Sequence, residues 1–383
     1  MKRLTTYFII FLTAQIILSE GLNTHRVSSW TKGGLSATLK SDGTLIISGS
    51  DWGRGMYRER GREVGSYTGP TPCKYGRRDY RGISITNVII EKNVEAFHPF
   101  IFNECTNLMS INVDKDNIRY TSIDGVLFGY NPYYFTGSSA DLRDVTLIRY
   151  PQGRQGAYTL PSDSNLVVSS IGEFAFSNCT GLTSVILPDG LVTIKKGAFY
   201  GCTNLTSITI PSDMEGIGKH VFAACKNLTS INVNKGNSHF TSFDGSHFTS
   251  IDGILFYNYE DNGRLENLIR YPPSKQGVSY KIPNGVWSIE TNAFEDCNNL
   301  TSVTIPRSVK SIEKYAFYNL AIRSITVWSW TPPRSHNFAF SVSDSACLYV
   351  PRGRVRAYRR AKGWEEIECI KPTTRNRKGT KNE

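Results

Sequence analysis

Histidines and cysteines are the residues of this 383-residue chain that could most readily support catalysis or hold a metal. None of the six histidines stands in an HExxH pattern, and the chain has no GxSxG elbow or phosphate-binding glycine loop. No CxxC or CxxH pair is present, which argues against a zinc site. His239 and His247 could form a metal pair, but their place in a duplicated segment favours an ordinary surface loop. We therefore predict a non-enzymatic protein without catalytic, metal-binding or cofactor-binding residues.

Most cysteines recur at one position, three residues after a phenylalanine. That position holds Cys105, Cys179, Cys202, Cys225 and Cys297, and Leu320 occupies it after Phe317. A position that accepts either cysteine or leucine is apolar, so we predict that these five cysteines are buried, free thiols. Cys73, Cys347 and Cys369 lie outside this pattern. The last two could close a disulfide or could both stay reduced.

Polar residues at alternate positions of short apolar segments are the first candidates for contact with a partner. They are Ser184, Ser207, Ser230, Thr209, Asn232 and Thr304. Alternate side chains of a strand point to one face, so these residues would stack into outward rows on successive repeats. Strand geometry and solubility are an equally open explanation of the same pattern. The second candidates are the loop residues Tyr130, Tyr133 and Tyr134, because aromatic side chains are favoured in interface cores.

The elements that would position these residues are repeats of constant length. Their markers are phenylalanines at one fixed spacing, first Phe176, Phe199 and Phe222, and then Phe294, Phe317 and Phe340. A fixed period of this length is the signature of a solenoid, in which one unit buries its apolar residues only against the next. The phenylalanines and their cysteines are therefore predicted to form the core.

Each repeat divides into a strand and a turn. The part after the cysteine alternates apolar and polar residues and often ends in proline, as at Ile208, Ile210 and Pro211, which is typical of a strand with one buried face. The Ala-Phe-x-x-Cys phrase is too short for a long helix. It predicts a tight helical turn that carries the ring into the core.

Two insertions, at about 114–165 and 234–285, interrupt the period and match each other. The first contains YTSIDGVLF and LIRYP, and the second contains FTSIDGILF and LIRYP again. An Asp-Gly pair between apolar alternations is a strong hairpin signal. We therefore predict a β-hairpin in each insertion, and a further one around Asp42-Gly43.

The AFxxCxxLTSITIP phrase, the SIDGVLF and LIRYP segments, and the closing LYVPRGRVRAY segment resemble the BspA-type leucine-rich repeat family over roughly 40–370. This resemblance implies a β-rich leucine-rich-repeat solenoid of about 23-residue repeats, with short strands, short helical turns and caps at both ends. It also implies an adhesin-like module at the cell surface that binds extracellular-matrix or other host proteins. The family has no shared catalytic residues to transfer.

The ends of the chain predict export and capping. Residues 1–21 combine two basic residues, an apolar run and small residues, as in a secretory signal peptide. We expect an N-terminal cap with a basic loop at 22–82, the solenoid at 83–345, a C-terminal cap at 346–370 and a disordered basic tail at 371–383. No other segment is apolar enough to span a membrane. The expected location is outside the cell or on its surface.

The net charge of +11 does not indicate a nucleic-acid partner. Residues 54–81 hold eight basic and three acidic residues, and residues 352–383 hold eleven and four, so the repeats themselves are close to neutral. A phosphate-binding surface would spread its charge along one face. Anionic glycans of cell surfaces are a more plausible target for the basic ends. We predict a protein-recognition module; the alternatives are a glycan-binding module and a structural coat protein.

Overall fold

A computed structural model describes most of the repeat region. The described residues are 28–32, 34–52, 84–95, 99–130, 144–162, 166–212, 214–234, 247–258, 265–342 and 345–374. They belong to two compact units, which we call the N-terminal unit (Met1–Pro132 with Ile148–Arg154) and the C-terminal unit (Tyr133–Leu147 with Gln155–Glu383). The predicted signal segment 1–21, most of the basic loop and residues 375–383 lie outside the described residues.

The N-terminal unit is a sheet of five strands followed by a hairpin. Its strands are β1 (Ser28–Lys32), β2 (Gly34–Leu39), β3 (Thr44–Trp52), β4 (Asn87–Ile90), β5 (Ser110–Val113), β6 (Tyr120–Ile123) and β7 (Val126–Tyr130), with a 3₁₀ helix at Pro99–Phe102. Strands β1 to β3 are antiparallel, and β4 and β5 continue the sheet in parallel. In this sheet Leu45, Val88 and Ile111 occupy neighbouring positions and are fully buried. Alternate residues of these strands are more exposed, as at Ile46 and Ile89, so one side of the sheet faces the core.

The C-terminal unit contains the longer run of strands, the first of which ends with two residues that belong to the range of the N-terminal unit. They are β8 (Asp144–Arg149), β9 (Gly156–Thr159), β10 (Val167–Ile171), β11 (Leu182–Ile186), β12 (Thr193–Ile194), β13 (Ser207–Ile210), β14 (Gly216–Ile217), β15 (Ser230–Val233), β16 (His247–Ile251), β17 (Ile254–Asn258), β18 (Asn267–Arg270), β19 (Ser279–Lys281), β20 (Ser288–Ile289), β21 (Ser302–Ile305), β22 (Ser311–Ile312), β23 (Phe317–Leu320), β24 (Ser324–Val327), β25 (Arg334–Ser335), β26 (Phe340–Val342), β27 (Cys347–Val350) and β28 (Cys369–Pro372). A five-residue helix, α1, spans Val355–Arg359.

Strands that lie one repeat apart in the sequence pair in parallel, as a solenoid requires. Sheet I is β9-β11-β13-β15, and sheet II contains β8, β10, β12 and β14. Sheet III is β19-β21-β24-β27-β28, and sheet IV is β16-β17-β18-β20-β22-β25. Among the strands just named, the pairs β16–β17 and β17–β18 are the only antiparallel ones within the described residues. The predicted β-solenoid of about 23-residue repeats is confirmed.

The phenylalanine markers form stacked rows in the core of the C-terminal unit. Phe176 lies 4.8 Å from Phe199, and Phe199 lies 5.9 Å from Phe222, measured between ring centroids. The rings of Phe294 and Phe317 are 5.0 Å apart, and all five side chains are buried. Burial of one such side chain contributes about 1.5–3 kcal/mol, and an aromatic pair adds about 0.5–1.5 kcal/mol. Each turn therefore supplies one ring to a shared core, as predicted.

The turns that carry these rings in the C-terminal unit are not helical, so the predicted helical turn is wrong there, whereas Phe102 of the N-terminal unit ends a 3₁₀ helix. In one of them the amide of Ser177 donates to the carbonyl of Phe174 within the same turn. The amides of Phe176 and Asn178 donate instead to carbonyls of the next turn, those of Ala198 and Tyr200. This alternation requires left-handed backbone at intervening positions, such as Phe174 (φ 54°) and Asn178 (φ 57°). A helix would direct every amide along its own axis and leave the neighbouring carbonyls of the next turn without donors.

Four cysteines of the predicted position are buried thiols that form no disulfide, namely Cys179, Cys202, Cys225 and Cys297. The thiols of Cys202 and Cys225 donate to the carbonyls of Phe176 and Phe199 in the preceding turn, at 3.1 and 3.0 Å. Cys105 corrects the prediction, because it is buried but disulfide-bonded. Cys105 follows Phe102, the first phenylalanine of the repeat pattern. No phenylalanine of a preceding repeat can therefore offer its carbonyl to the thiol of Cys105.

The two C-terminal cysteines form a disulfide. Cys347 and Cys369 are register partners on the parallel strands β27 and β28, and their Cα atoms lie 4.6 Å apart. This settles the alternative that the sequence left open. Helix α1 lies in the loop that the disulfide closes.

Each insertion contains the hairpin that its Asp-Gly pair predicts. Strands β6 and β7 are antiparallel in the N-terminal unit, and β16 and β17 are antiparallel in the C-terminal unit. Asp124 and Gly125 both have left-handed backbone (φ 51° and 70°), and Asp252 and Gly253 have nearly the same angles (52° and 72°). Two successive positive φ angles are typical of the tight turn that suits the twist of a hairpin.

Candidate functional site

The outward side of sheet I brings the predicted serines into one row. Ser184 pairs with Ser207, and Ser207 pairs with Ser230, so each strand contributes one hydroxyl. Thr209 and Asn232 are register partners in the same sheet, and both side chains are exposed. Adjacent strands lie about 4.8 Å apart, so the rows offer hydroxyl and amide groups at a constant interval. We call the outward side of sheet I the strand face.

Side-chain hydrogen bonds hold the margin of the strand face. The hydroxyl of Thr229 donates to the carbonyl of Thr206 at 2.9 Å, and that of Thr206 donates to the carbonyl of Thr183 at 3.4 Å. Asn227 donates to the side-chain oxygen of Asn204 at 3.4 Å. These ladders fix the rotamers of the residues that enter each strand, so the face loses little side-chain entropy when a ligand binds.

An exposed aliphatic side chain lies within the strand face. Ile186 ends β11 and is 61% exposed, although its neighbours on the strand, Val185 and Leu187, are buried. Isolated exposed isoleucines are common on protein surfaces. Here it stands beside polar rows and gives the face an apolar contact point.

The hairpin β16–β17 covers one end of the strand face. Ile231 donates its amide to the carbonyl of Gly253 at 2.8 Å, and Val233 donates to the hydroxyl of Ser250 at 3.0 Å. A Cβ atom on Gly253 would lie 2.8 Å from the Cβ of Ser230, so the two backbones are in close contact. Ser230 is therefore partly covered, and Ser184 and Ser207 are the more open positions of its row.

Sheet III of the same unit repeats the pattern with the remaining candidate. Thr304 on β21 pairs with Thr326 on β24 and with Lys281 on β19. Ser302 pairs with Ser324 in the adjacent row. Thr304 is half-buried. Thr304 therefore belongs to a different sheet from Thr209 and Asn232.

The tyrosine candidates are not assembled into a site by the described residues. Tyr130 ends β7 of the N-terminal unit and is half-buried. Tyr133 and Tyr134 lie outside the described residues. The tyrosine loop stays a prediction.

A tyrosine that the sequence reading missed completes the ring row of the C-terminal unit. Tyr271 lies one repeat length before Phe294, stacks on it at 5.3 Å and is buried. Its carbonyl accepts the thiol of Cys297 at 3.5 Å, as the phenylalanine carbonyls accept Cys202 and Cys225. Counting one repeat length back from Phe294 would have identified it. It belongs to the second LIRYP segment, which had been interpreted only as part of an insertion.

The arginine of that segment is buried and replaces part of a missing turn. Arg270 donates to the carbonyl of Asn292 and, at 3.2 Å, to that of Glu295. Its guanidinium also lies 3.9 Å from the Glu295 carboxylate. Burial raises the pKa of Glu295, and Arg270 opposes this shift. In an uninterrupted stack, the backbone amides of a complete preceding turn would donate to carbonyls such as those of Asn292 and Glu295. Here the guanidinium of Arg270 donates to these two carbonyls instead.

The chemistry of the described residues is that of a packed core. Burial raises the pKa of Cys225 and of Cys297 to about 12, so neither thiol ionises near neutral pH. Within the described part of the chain, no three His, Cys, Asp or Glu side chains are grouped so as to bind a metal ion. The helices among those residues are too short to cross a bilayer.

The sequence matches the BspA type leucine rich repeat region in six copies, over residues 74–131, 159–264 and 274–353. No curated protein gives a match. A leucine rich cell surface protein from Faecalibacterium prausnitzii is similar in structure, with 22% identity, a TM-score of 0.48 and coverage of 91% of this chain and 95% of that one. A leucine-rich repeat protein from Eubacterium ventriosum is similar in structure with 17% identity and a TM-score of 0.47, and the match covers 88% of this chain and 76% of that one. The pneumococcal vaccine antigen PcpA is similar with 15% identity and a TM-score of 0.40, and the match covers 94% of this chain and 99% of that one.

Proposed function

The chain belongs to the BspA type leucine rich repeat family, and we propose that it binds a protein partner through the strand face of its C-terminal unit. The observation that carries this proposal is the register of sheet I. Thr209 and Asn232 are paired and exposed, and the serine row runs beside them. A solenoid commonly uses a repeated surface of this kind for recognition.

The composition of the strand face suits a protein ligand. Hydroxyl and amide side chains can donate and accept hydrogen bonds, so they match the mixed donors and acceptors of a polypeptide. Ile186 adds an exposed apolar side chain, and its removal from water by a partner would favour binding. The side-chain ladders at Thr206 and Thr229 keep the face ordered before binding.

We further propose that the protein acts outside the cell or at its surface and that its role is binding rather than catalysis. The motivation is the signal-like composition of residues 1–21 together with the repeat family. The proposed partner is an extracellular-matrix protein or another cell-surface protein of a host. Anionic glycans are the second class of ligand that we consider for a surface protein with basic ends.

Surface plasmon resonance of the full chain over purified matrix and bacterial surface proteins tests the proposal. We expect at least one partner to bind with a dissociation constant of about a micromolar or lower. The double substitution Thr209→Arg/Asn232→Arg should weaken that binding at least about tenfold, because two long cations would displace the contact. Glu173→Arg is the matched control, since Glu173 is exposed on a ring-carrying turn. Binding that survives the double substitution would remove the strand face from the proposal.

A further inference from the structure

A cleft of about 330 Å³ opens beside Trp287 in the C-terminal unit. Its lining combines an aromatic ring, two cations and three hydroxyl groups, together with prolines. The groups that matter are Trp287, Lys310, Arg334, Ser311 and Thr331. We call this feature the Trp287 cleft. Sites for small ligands have volumes from about 300 Å³ upwards and combine apolar walls with a few polar groups, as this cleft does.

Three successive strands of sheet IV build one wall of the cleft. The amide of Lys310 donates to the carbonyl of Trp287, and the amide of Arg334 donates to that of Lys310, each at 2.8 Å. Trp287 and Lys310 directly precede the register partners Ser288 and Ser311, whereas Arg334 itself pairs with Ser311 and so lies one position further along its strand. The ring and the two cations thus line the cleft from neighbouring strands that are about 4.8 Å apart. The indole is 55% exposed, which leaves a ring surface open to a ligand.

The opposite wall is a segment held in place by buried aromatic side chains. The hydroxyl of Tyr358 donates to the carbonyl of Ser329, and the indole N–H of Trp364 donates to that of Pro333, both at 2.8 Å. Both aromatic side chains are fully buried. The wall is therefore formed before a ligand arrives, which lowers the entropy cost of binding.

The charge of the cleft is positive. Its described lining residues include Lys310 and Arg334 but no carboxylate. The nearest acid in the hydrogen-bond network is Glu313, which accepts from Ser311 at 2.6 Å and pairs with His336 at 3.3 Å. Lys310 uses one donor on the carbonyl of Arg307 at 3.2 Å, which leaves two of its three N–H groups for a ligand.

We propose that the Trp287 cleft binds an acidic saccharide, a pyranose unit that carries a carboxylate or a sulfate. The apolar C–H face of a sugar ring packs on an exposed indole, and the acidic group forms charge-assisted hydrogen bonds with Lys310 and Arg334. Thr331 provides a hydroxyl donor for another sugar oxygen, and Ser311, whose proton goes to Glu313, can accept from a sugar hydroxyl. A neutral saccharide would leave both cations unused. This site lies on sheet IV and uses none of the residues of the strand face.

An array of paired glycans tests the proposal with the full chain. Each uronic-acid or sulfated oligosaccharide is printed beside its neutral counterpart, and the best ligand is then titrated by calorimetry. We expect acidic members to bind at least about tenfold more tightly than their neutral partners. Trp287→Ala and the double substitution Lys310→Gln/Arg334→Gln should each weaken binding about tenfold. The carboxylated and sulfated arms identify which anion is preferred.

Two matched controls separate the cleft from general surface effects. Trp328 is an exposed tryptophan, and Arg323 an exposed cation, that do not line the cleft. Trp328→Ala and Arg323→Gln should bind like the wild type, and so should the strand-face variant Thr209→Arg/Asn232→Arg. Equal binding of acidic and neutral glycans, unchanged binding by Trp287→Ala, or preference for a tetraglutamate peptide over every acidic saccharide would each overturn the proposal.

Discussion

Tyr271 stacks on Phe294 at 5.3 Å and takes the place that a phenylalanine holds in the uninterrupted repeats. Its amide donates to the carbonyl of Ala293 at 2.8 Å, as the amide of Phe176 donates to that of Ala198. Tyr271 therefore extends the second row of rings, formed by Phe294, Phe317 and Phe340, back into the second insertion. Because a solenoid is stabilised by contacts between neighbouring turns, a gap in that row would divide its core.

The Tyr271 ring should be essential to stability. Tyr271→Ala removes a buried aromatic side chain beside Phe294, so we expect a loss of about 3–5 kcal/mol in the free energy of unfolding. Tyr271→Phe keeps the ring and should cost less than about 1.5 kcal/mol. Urea unfolding followed by circular dichroism measures both. Equal midpoints for the alanine variant and the wild type would show that the ring row is dispensable.

The pKa of Glu295 should make stability depend on pH. Burial raises this pKa above its ordinary value of 4.5, so the folded protein holds the proton more tightly than the unfolded chain does. The stabilisation is therefore greatest below pH 4.5 and is lost as the pH rises through the raised pKa. Glu295→Gln should reduce this decline in a series of urea titrations. Glu290, whose pKa burial also raises, should account for part of the decline that remains.

Arg270→Met extends the same experiment. Without the guanidinium, the pKa of Glu295 should rise further, because Arg270 has the largest of the effects that lower it. The decline in stability should then reach higher pH than in the wild type. Unchanged pH dependence in Arg270→Met would mean that the two side chains are not coupled. In Arg270→Met/Glu295→Gln the shift caused by the first substitution should disappear.

The core of this fold was predictable because its markers repeat in type as well as in spacing. The period can be read directly from the spacing of Phe176, Phe199 and Phe222, and the burial of the cysteines that follow them can be predicted from it. Tyr271 was missed because a different residue type fills the position within an insertion. The prediction for Cys105 was wrong because its place in the repeat pattern is the same as that of the free thiols, although it is disulfide-bonded.

The conformation of the turns and the extent of the site could not be read in the same way. Left-handed backbone recurs two residues before and two after the rings of Phe176, Phe199, Phe222, Phe294 and Phe317. Phe174, Gly197 and Asn292 occupy the first of these positions without any shared side-chain chemistry. The strand face followed from alternation within β13 and β15. The partial covering of Ser230 could not be predicted from that alternation, because the hairpin β16–β17 that covers it belongs to the second insertion.

The left-handed position after each ring offers a matched pair of substitutions. Ala224 (φ 57°) and Gly201 (φ 72°) occupy it in consecutive repeats. Left-handed backbone costs an L-residue about 1–2 kcal/mol, so Ala224→Gly should stabilise the protein by about 0.5–1 kcal/mol. Gly201→Ala should destabilise it, because its new Cβ would also collide with the side-chain oxygen of Asn178. Thermal unfolding of both variants checks the opposite signs, and shifts of the same sign would contradict this account.

The Cys347–Cys369 disulfide should contribute about 3 kcal/mol, because it closes a loop across a sequence separation of 22 in the unfolded chain. The double substitution Cys347→Ala/Cys369→Ala should lower the urea midpoint accordingly. Helix α1 lies inside this loop, and its Tyr358 holds one wall of the Trp287 cleft through Ser329, so saccharide binding should weaken in the same variant. Adding reductant to the variant isolates the contribution of the Cys105 disulfide and serves as the control. A variant that unfolds at the wild-type midpoint would mean that the parallel pairing of β27 and β28 holds this end of the chain without the covalent bond.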